Sequence, residues 1–236
     1  MLEKLEASNT NIILKNIEYF TEKEAEKRDK ILLNYFGEEG LKRIIDTIID
    51  HLLSSPKLRA DAKILDVGAG TGYFTIKIAN RLHQHFPQAS FYAMDITPTM
   101  LSILAEKADY IIPFLGVAEN IASSIRFARR YVEVPDKFDA IFSTLMLHHC
   151  INVERVFKSI KDVLKNNGKA VIVDLCEHSF KEFREEMGDI HLGFNPSSIE
   201  KLAKPFFKDV YVKRIAGISC SCSGRSADLF IAYLIP

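Results

Sequence analysis

The residues whose types and spacing best suit binding chemistry lie in a glycine-rich segment, residues 64–72, which reads Ile-Leu-Asp-Val-Gly-Ala-Gly-Thr-Gly. The apolar run at 63–67 is typical of a buried parallel strand, and the spacing of Phe74, Ile78 and Leu82 is typical of a helix. Glycines let a ligand approach the backbone closely, and the start of a helix offers unpaired N–H groups. A strand, a glycine turn and a helix in this order therefore predict a nucleotide-binding crossover.

Two acidic residues distinguish this segment from a dinucleotide site, which has the spacing G-x-G-x-x-G instead of the G-x-G-x-G found here. Asp66 stands just before the first glycine, where its charge would repel a pyrophosphate and attract an ammonium group. Asp95 follows a second apolar run and is placed to accept hydrogen bonds from both hydroxyls of a ribose. An ammonium group and a ribose in one ligand suggest S-adenosylmethionine, and the same features disfavour a nicotinamide oxidoreductase.

From about residue 60 to residue 236, the chain resembles the class I S-adenosylmethionine-dependent methyltransferases, in particular the small-molecule branch that includes ubiquinone- and menaquinone-biosynthesis-like enzymes. The glycine segment carries the resemblance. Three further motifs support it: Met-Asp-Ile at 94–96, Phe-Asp-Ala-Ile-Phe-Ser at 138–143 and Asn-Asn-Gly-Lys-Ala-Val-Ile-Val-Asp at 166–174. The resemblance implies an α/β fold: a doubly wound, seven-stranded, mostly parallel Rossmann-like sheet with an antiparallel last strand.

The resemblance also implies a set of cofactor-binding residues. Asp66 would bind the methionine ammonium, directly or through water, and Asp95 would hold the ribose hydroxyls. The other implied contacts come from the backbone of Gly68, Ala69, Gly70 and Thr71, from Ile96 and Met100 flanking the adenine, from Ala118 and Glu119 beside it, and from Ser143 near the methionine part. Val117 stands where the family often has an acid for the adenine amino group, so Glu119 or a backbone carbonyl would replace that acid, or the adenine would be held less tightly.

Two regions are expected: an N-terminal helical cap at 1–60 and the cofactor-binding domain at 61–236. The cap would either pack on the sheet or close over the substrate as a lid, and its charged stretch 21–30 is expected to be a solvated helix face. Strands are expected at the following positions: 63–67, 90–95, 110–115, 138–143, 170–175, 210–215 and 229–234. A helix capped by Asn152 is expected to end near 166–168, and a loop is expected at 216–228.

Composition narrows the choice of partners. Lys and Arg together number 31, as do Asp and Glu, so the net charge is near zero and a nucleic-acid partner is not expected. No apolar run is long enough to span a membrane, and the charged N-terminus does not resemble a signal peptide. Four cysteines without a secretory context indicate reduced thiols and a cytoplasmic location. The sequence does not predict an oligomeric state.

Two histidines after the fourth strand, His148 and His149, are candidate general bases. Methyl transfer from a sulfonium is an in-line displacement that mainly requires positioning and exclusion of water. A base is needed only if the acceptor must lose a proton. The alternative is that the two histidines pack within the protein without touching the acceptor.

The four cysteines are expected to follow strands four, five and six, at the edge of the sheet where the cofactor binds: Cys150, Cys176, Cys220 and Cys222. Thiolates gather soft ions, so arsenite as an acceptor or a bound Zn²⁺ would use such a cluster. The alternative, with no metal, treats Cys150 and Cys176 as small buried apolar residues and Cys220 and Cys222 as incidental loop residues. The long connection at 176–196 is a candidate for substrate choice because it reaches the same edge.

The predicted function is therefore transfer of a methyl group to a small-molecule acceptor, with S-adenosylhomocysteine as the product. Two alternatives stay open at this point: methylation of a macromolecule, protein or RNA, and a cofactor-binding module without turnover.

Overall fold

The computed structural model describes residues 17–18 and 22–236, so most of the first third of the predicted cap lies outside the described residues. The first half of the chain forms α1 (Glu22–Leu53), β1 (Lys63–Val67), α2 (Tyr73–His85), β2 (Ser90–Asp95), α3 (Pro98–Lys107), β3 (Ile111–Leu115) and α4 (Ile121–Ala128). The second half forms β4 (Phe138–Thr144), α5 (Val153–Val163), β5 (Leu164–Leu175), α6 (Glu182–Met187), α7 (Pro196–Ala203), β6 (Asp209–Cys222) and β7 (Arg225–Ile235). Short 3₁₀ turns at Ala118–Asn120 and Leu147–His149 follow β3 and β4.

The described strands form one seven-stranded sheet in the order β3-β2-β1-β4-β5-β7-β6. Strands β1 to β5 pair in parallel, and β7 runs antiparallel between β5 and β6. This confirms the predicted fold class. The strand order reverses at β1, which lies between β2 and β4, so a crevice opens at the carboxyl ends of these strands. Open α/β sheets bind their ligands in such a crevice.

Helices cover both faces of the sheet. One core layer joins β-strand side chains to α1, α2 and α3, and the other joins them to α4, α5 and α7. Neighbouring residues of β1 show why: Ile64 packs into the first layer and Leu65 into the second, because successive side chains of a strand point to opposite faces. The described helices include none that is both long enough and apolar enough to cross a membrane.

Two element boundaries differ from the sequence prediction. The helix capped by Asn152 ends at Val163, because Leu164 already pairs with Phe138 in the sheet. The expected loop at 216–228 is mostly strand, since β6 and β7 continue pairing as far as Cys222 and Arg225. A register shift between Ile215 and Ser219, where Gly217 has a φ of 68°, absorbs the irregular residues that suggested a loop.

Helix α1 is anchored at its C-terminal end by a lysine from the sheet. The following apolar residues on one side of its second half are buried, and the last of them is completely covered: Leu41, Ile44, Ile45, Ile48, Ile49 and Leu52. The ammonium of Lys169 on β5 is also buried and donates to the carbonyls of Leu52, at 2.8 Å, and Ser54. The last carbonyls of a helix lack intrahelical hydrogen-bond donors and carry partial negative charge. The ammonium of Lys169 supplies both a donor and an opposite charge.

We expect Lys169→Met to lower the free energy of unfolding by about 1–3 kcal/mol, because buried carbonyls would lose a charged donor. Lys165→Met is the matched control: its ammonium pairs with Asp139 at 2.8 Å but is 41% exposed, so about 0–1 kcal/mol is expected. Denaturant unfolding followed by circular dichroism measures both values. Equal effects for the two variants would contradict the anchoring role of Lys169.

Candidate active site

A cleft with an empty volume of about 1030 Å³ lies at the carboxyl ends of β1, β2 and β4, with α1 along one side. Nine of the predicted cofactor-binding residues line it: Gly68, Ala69, Gly70, Thr71, Asp95, Ile96, Met100, Ala118 and Glu119. The fold therefore brings residues at and after the ends of three separate strands, β1, β2 and β3, to one place.

The glycine turn is shaped both for packing and for a ligand. The N–H groups of Gly68 and Ala69 donate to the carbonyl of Met94, at 2.8 and 3.0 Å, which fixes the turn to β2. At Gly68, with φ 81°, an added Cβ would lie 2.2 Å from Cγ of Met146. At Gly70, with φ 54°, no atom stands within 4 Å of the corresponding position. The missing side chain at Gly68 thus leaves room for Met146 in the loop after β4, whereas the backbone of Gly70 is accessible from the cleft.

Asp95 links the glycine turn to the start of α3. Its Oδ2 accepts from the N–H of Gly70 and its Oδ1 accepts from the N–H of Thr97, both at 2.8 Å. Burial raises the pKa of Asp95, while the two backbone N–H groups oppose that rise. Each carboxylate oxygen accepts more than one hydrogen bond, so both can also accept from ribose hydroxyls.

Asp66 lies behind the turn and does not itself line the cleft. Its Oδ2 accepts from Oγ1 of Thr75 at 2.6 Å, whereas its Oδ1 is buried without a hydrogen-bond partner in the described part of the chain. Burial raises the pKa of Asp66 to about 7, opposed by the Thr75 hydroxyl and assisted by the charge of Asp95. A buried carboxylate oxygen without a partner is rare and indicates that a donor, a ligand ammonium or a water, belongs there.

The prediction for Ser143 is wrong. Its hydroxyl is completely buried and donates to the carbonyl of Val67 at 2.7 Å, so it joins β4 to β1 instead of facing the cleft. The next two residues, Thr144 and Leu145, line the cleft in its place. Leu145 has a φ of 56°, an unfavourable conformation for a branched residue and one that concentrates at functional sites. Which residue faces the cleft depends on exactly where β4 ends, and the sequence motif at 138–143 does not give that end.

Glu119 lines the cleft and also holds two loops together. Its Oε1 accepts from the N–H of Ile151 at 3.0 Å, which joins the 3₁₀ turn after β3 to the loop after β4. The N–H of Val117 donates to Oγ of Ser124, at 3.0 Å, and Val117 does not line the cleft. The next two residues, Ala118 and Glu119, form the cleft wall where the adenine is predicted.

The first turns of α1 form another wall of the cleft. The sequence predicts a lid as one role of the cap but does not show which of its residues face the cleft. Arg28 and Leu32 line the cleft, and Asp29 accepts from Oγ1 of Thr71 at 2.6 Å and from Nζ of Lys107 at 2.7 Å. The charged stretch 21–30 was expected to be solvated, because a run of charges gives no sign of which members fold inward. Thr71 thereby fastens the cap to the glycine turn through its side chain.

Comparisons with known proteins agree with this geometry. A family model described as a methyltransferase domain matches residues 58–209. The chain belongs to this methyltransferase family. It is 30% identical over 165 residues to the biotin biosynthesis bifunctional protein BioHC of Cellvibrio japonicus, covering 68% of this chain and 28% of that protein. It is 29% identical over 131 residues to a malonyl-[acyl-carrier protein] O-methyltransferase of Nitrosospira multiformis, covering 52% of this chain and 41% of that protein. The chain thus spans less than half the length of these two relatives.

Two solved structures show the same fold. Phospholethanolamine N-methyltransferase 2 of Haemonchus contortus, in complex with phosphomonomethylethanolamine and S-adenosylhomocysteine, has a TM-score of 0.66 and 16% identity, covering 98% of this chain and 60% of that chain. A SAM-dependent methyltransferase from Aquifex aeolicus has a TM-score of 0.58 and 14% identity, covering 89% and 98%. The family and the fold together identify S-adenosylmethionine as the cofactor of this methyltransferase domain.

Of the two histidines in this methyltransferase, His149 lines the cleft and His148 does not. His148 is completely buried, with Nδ1 2.6 Å from Oδ1 of Asp174 and Nε2 3.5 Å from Oδ1 of Asp189. Burial opposes its charged form, but the two carboxylates together raise the pKa of His148 above its usual value. The structure therefore corrects the prediction that His148 acts directly on the acceptor.

His149 is held in its neutral form. Its Nδ1 donates to the carbonyl of Gly188 at 3.3 Å. Burial first, and then the charges of His148 and Arg28, lower the pKa of His149 well below its usual value. A neutral imidazole at the cleft can accept a proton, although such a low pKa makes it a weak base.

The four cysteines do not form one cluster. All are buried free thiols, but Cys150 and Cys176 pack into the core layer on the α5 side of the sheet, while Cys220 and Cys222 pack into the layer on the α1 side. Burial raises the pKa of every one of the four thiols, so none is set up as a thiolate. The parallel strands do end at one edge, as expected, but side chains there divide between the two faces. The four thiols therefore do not form the cluster that was predicted as an alternative. The other alternative describes Cys150 and Cys176, but Cys220 and Cys222 are buried residues of β6 and not loop residues.

Proposed function

We propose that this chain transfers the methyl group of S-adenosylmethionine to a small-molecule acceptor by in-line displacement. The observation that carries the proposal is the buried Oδ1 of Asp66, which has no hydrogen-bond partner among the described residues and lies behind the glycine turn, beside a cleft lined by Gly70 and Asp95. These features suit a ligand with an ammonium group and a ribose. When bound, S-adenosylmethionine supplies a methyl group that is already activated for displacement.

In this proposal the residues of the chain bind the cofactor, position the nucleophile and exclude water. Asp66 receives the ammonium of the cofactor, directly or through a water, and Asp95 receives the ribose hydroxyls. Ile96 and Met100 supply the apolar contacts for the adenine ring, beside the backbone of the 3₁₀ turn at Ala118–Asn120. The nucleophile is positioned from the opposite wall, and α1 excludes water from the reacting atoms.

The acceptor side of the cleft carries Arg28 and His149. A guanidinium is suited to a carboxylate or phosphate group, so we place an anionic group of the acceptor beside Arg28. A relative named as a malonyl-[acyl-carrier protein] O-methyltransferase supports a carboxylic acid as the acceptor class. A carboxylate needs no base because it has no proton to lose, which agrees with the low pKa of His149.

The test is formation of S-adenosylhomocysteine from S-adenosylmethionine by the purified protein, with matched panels of small acids, amines and phenols. Turnover with acids above the rate without acceptor supports the proposal. Turnover only with a protein or RNA substrate would instead support methylation of a macromolecule. Micromolar binding of S-adenosylhomocysteine without turnover on any acceptor would identify a cofactor-binding module.

The affinity for S-adenosylhomocysteine is expected to fall as the pH falls below about 7. The ammonium pairs only with the ionised carboxylate of Asp66, and burial raises the pKa of that group to about 7 in the free protein. Each further pH unit of acidification is therefore expected to weaken binding by about tenfold, since a proton must first leave. Calorimetric titrations in buffers of different ionisation enthalpy should also detect one proton released on binding.

The control for this pH dependence is Asp66→Asn, which cannot ionise. We expect this variant to bind more weakly at pH 8 and to lose the dependence near neutrality. A variant that keeps the same pH dependence would show that another group titrates, and Asp95, whose pKa is also raised by burial, is the next to test.

A further inference from the structure

A second buried polar cluster lies beside the cleft and is formed by His148, His149 and Asp189. One ligand atom from each residue lies within 4.8 Å of the other two. His148 and Asp189 are 0% and 4% exposed, and His149 reaches the wall of the cleft. The proposed methyl transfer uses neither His148 nor Asp189.

The cluster contains polar atoms that lack partners. Within the described part of the chain, Nε2 of His148 and both carboxylate oxygens of Asp189 are buried and have no hydrogen bond. The distance from Nε2 of His148 to Oδ1 of Asp189 is 3.5 Å, longer than N–H···O hydrogen bonds usually are. Because buried polar atoms are nearly always satisfied, a ring nitrogen and a carboxylate that face each other without a hydrogen bond indicate that a ligand belongs between them.

The spacing suits a metal ion. Ligand atoms bound tetrahedrally about 2.0–2.2 Å from an ion are about 3.4 Å apart, close to the observed 3.5 Å between His148 and Asp189. Small side-chain rotations would bring the ring nitrogen of His149 to the same separation. Two imidazoles and one carboxylate favour zinc, cobalt(II) or iron(II) over magnesium or calcium, which prefer oxygen ligands alone.

The supporting contacts orient the ligand atoms in the required way. Nδ1 of His148 donates to Oδ1 of Asp174 at 2.6 Å, so loss of the Nε2 proton on metal binding would leave the lone pair of that nitrogen facing Asp189. Carboxylates hold metal-binding histidines in this manner. The N–H groups of Ile190 and His191 both donate to the carbonyl of His148, at 3.2 and 3.0 Å, so the segment carrying Asp189 is fastened to the histidine turn.

The local charges permit a cation. Arg28 lowers the pKa values of His148 and His149, so its positive charge acts on the cluster. Arg184 also acts on the carboxylate of Asp189. With both imidazoles neutral, as metal binding requires, the carboxylates of Asp174 and Asp189 balance the charges of Arg28 and Arg184, so no net positive charge opposes a divalent ion.

We propose that His148, His149 and Asp189 bind a divalent transition-metal ion of the zinc, cobalt(II) or iron(II) class at the acceptor side of the cleft. Three protein ligands leave at least one coordination position open, and His149, which lines the cleft, joins the metal site to it. The metal site goes beyond the proposed function, because binding of the ion does not depend on methyl transfer.

The experiment is titration of the chelator-treated full chain with Zn²⁺ by calorimetry and with Co²⁺ by visible absorption. We expect one ion per chain and cobalt ligand-field bands without a thiolate charge-transfer band. Asp189→Asn removes a ligand and is expected to weaken binding by at least about tenfold, and Asp174→Asn removes the supporting carboxylate and should weaken it by about 10–100-fold. Circular dichroism confirms that each variant is folded.

His191→Gln is the matched control, since its ring bonds to the carbonyl of Cys150, at 2.9 Å, beside the cluster but outside it. Its affinity for the ion should equal that of the unchanged protein. The proposal is overturned by absence of saturable binding, by unchanged binding in Asp189→Asn, or by a thiolate charge-transfer band, which would place the ion on the cysteines. A separate titration with S-adenosylhomocysteine keeps failure of the metal site distinct from failure of the cofactor site.

Discussion

Replacing Asp95 by alanine is expected to weaken binding of S-adenosylhomocysteine by about 1–3 kcal/mol, which is about a 5- to 150-fold increase in Kd. The carboxylate is proposed to accept from the ribose hydroxyls while it already holds the N–H groups of Gly70 and Thr97. Its loss removes the ligand contacts and also releases the glycine turn from α3. Isothermal titration calorimetry at pH 8, where the carboxylate of Asp66 is ionised, measures the change directly.

Two further variants serve as controls for Asp95→Ala. Asp109→Ala, at an exposed position after α3, controls for loss of a negative charge and should leave Kd unchanged. Asp95→Asn keeps one acceptor oxygen and should have an intermediate affinity. An unchanged Kd in Asp95→Ala would falsify the ribose assignment.

Gly68→Ala is expected to lower the free energy of unfolding by about 2–5 kcal/mol. The positive φ of 81° costs an alanine about 1–2 kcal/mol. Overlap of the new Cβ with the side chain of Met146, at 2.2 Å from Cγ and 2.6 Å from Cβ, adds about 1–3 kcal/mol. The overlap lies so near the Met146 backbone that rotation of that side chain does not relieve it. Chemical denaturation followed by circular dichroism measures the loss.

Gly224→Ala separates the two contributions. Gly224, in the turn between β6 and β7, has a similar φ of 71°, but no atom stands within 4 Å of the position a Cβ would take. This variant should therefore lose only the conformational part, about 1–2 kcal/mol. Equal losses in the two variants would show that the loop after β4 moves away freely, and the close packing of Gly68 on Met146 would then not explain why glycine stands there.

The fold class could be predicted because its signals are local and repeated. Each strand from 63 onward is a short apolar run, and each is followed by a helical pattern, so the alternation alone requires a parallel sheet with crossovers. Boundaries were less secure where tertiary pairing overrides local preference. Residues 216–222 are polar and contain glycine, yet pairing with β7 makes them strand, and a register shift at Gly217 accommodates the misfit.

The sequence by itself was enough to predict the cofactor end of the proposed site. Residues 64–72 and Asp95 are set by two strand ends and one tight turn, and the glycines can adopt this backbone largely without reference to the remaining chain. Their types and spacing were therefore sufficient to name the ligand class.

Only the tertiary structure decided the acceptor end. Arg28 reaches the cleft because α1 folds back over it, and Thr144 replaces Ser143 because strand pleating sets which side chain faces inward. His148, Asp174 and Asp189 come together from three segments that are distant in sequence. The four cysteines divide between opposite faces for the same reason as Ile64 and Leu65 do. Local pattern specifies a turn, whereas the meeting of side chains from separate segments depends on packing of the whole sheet and its helices.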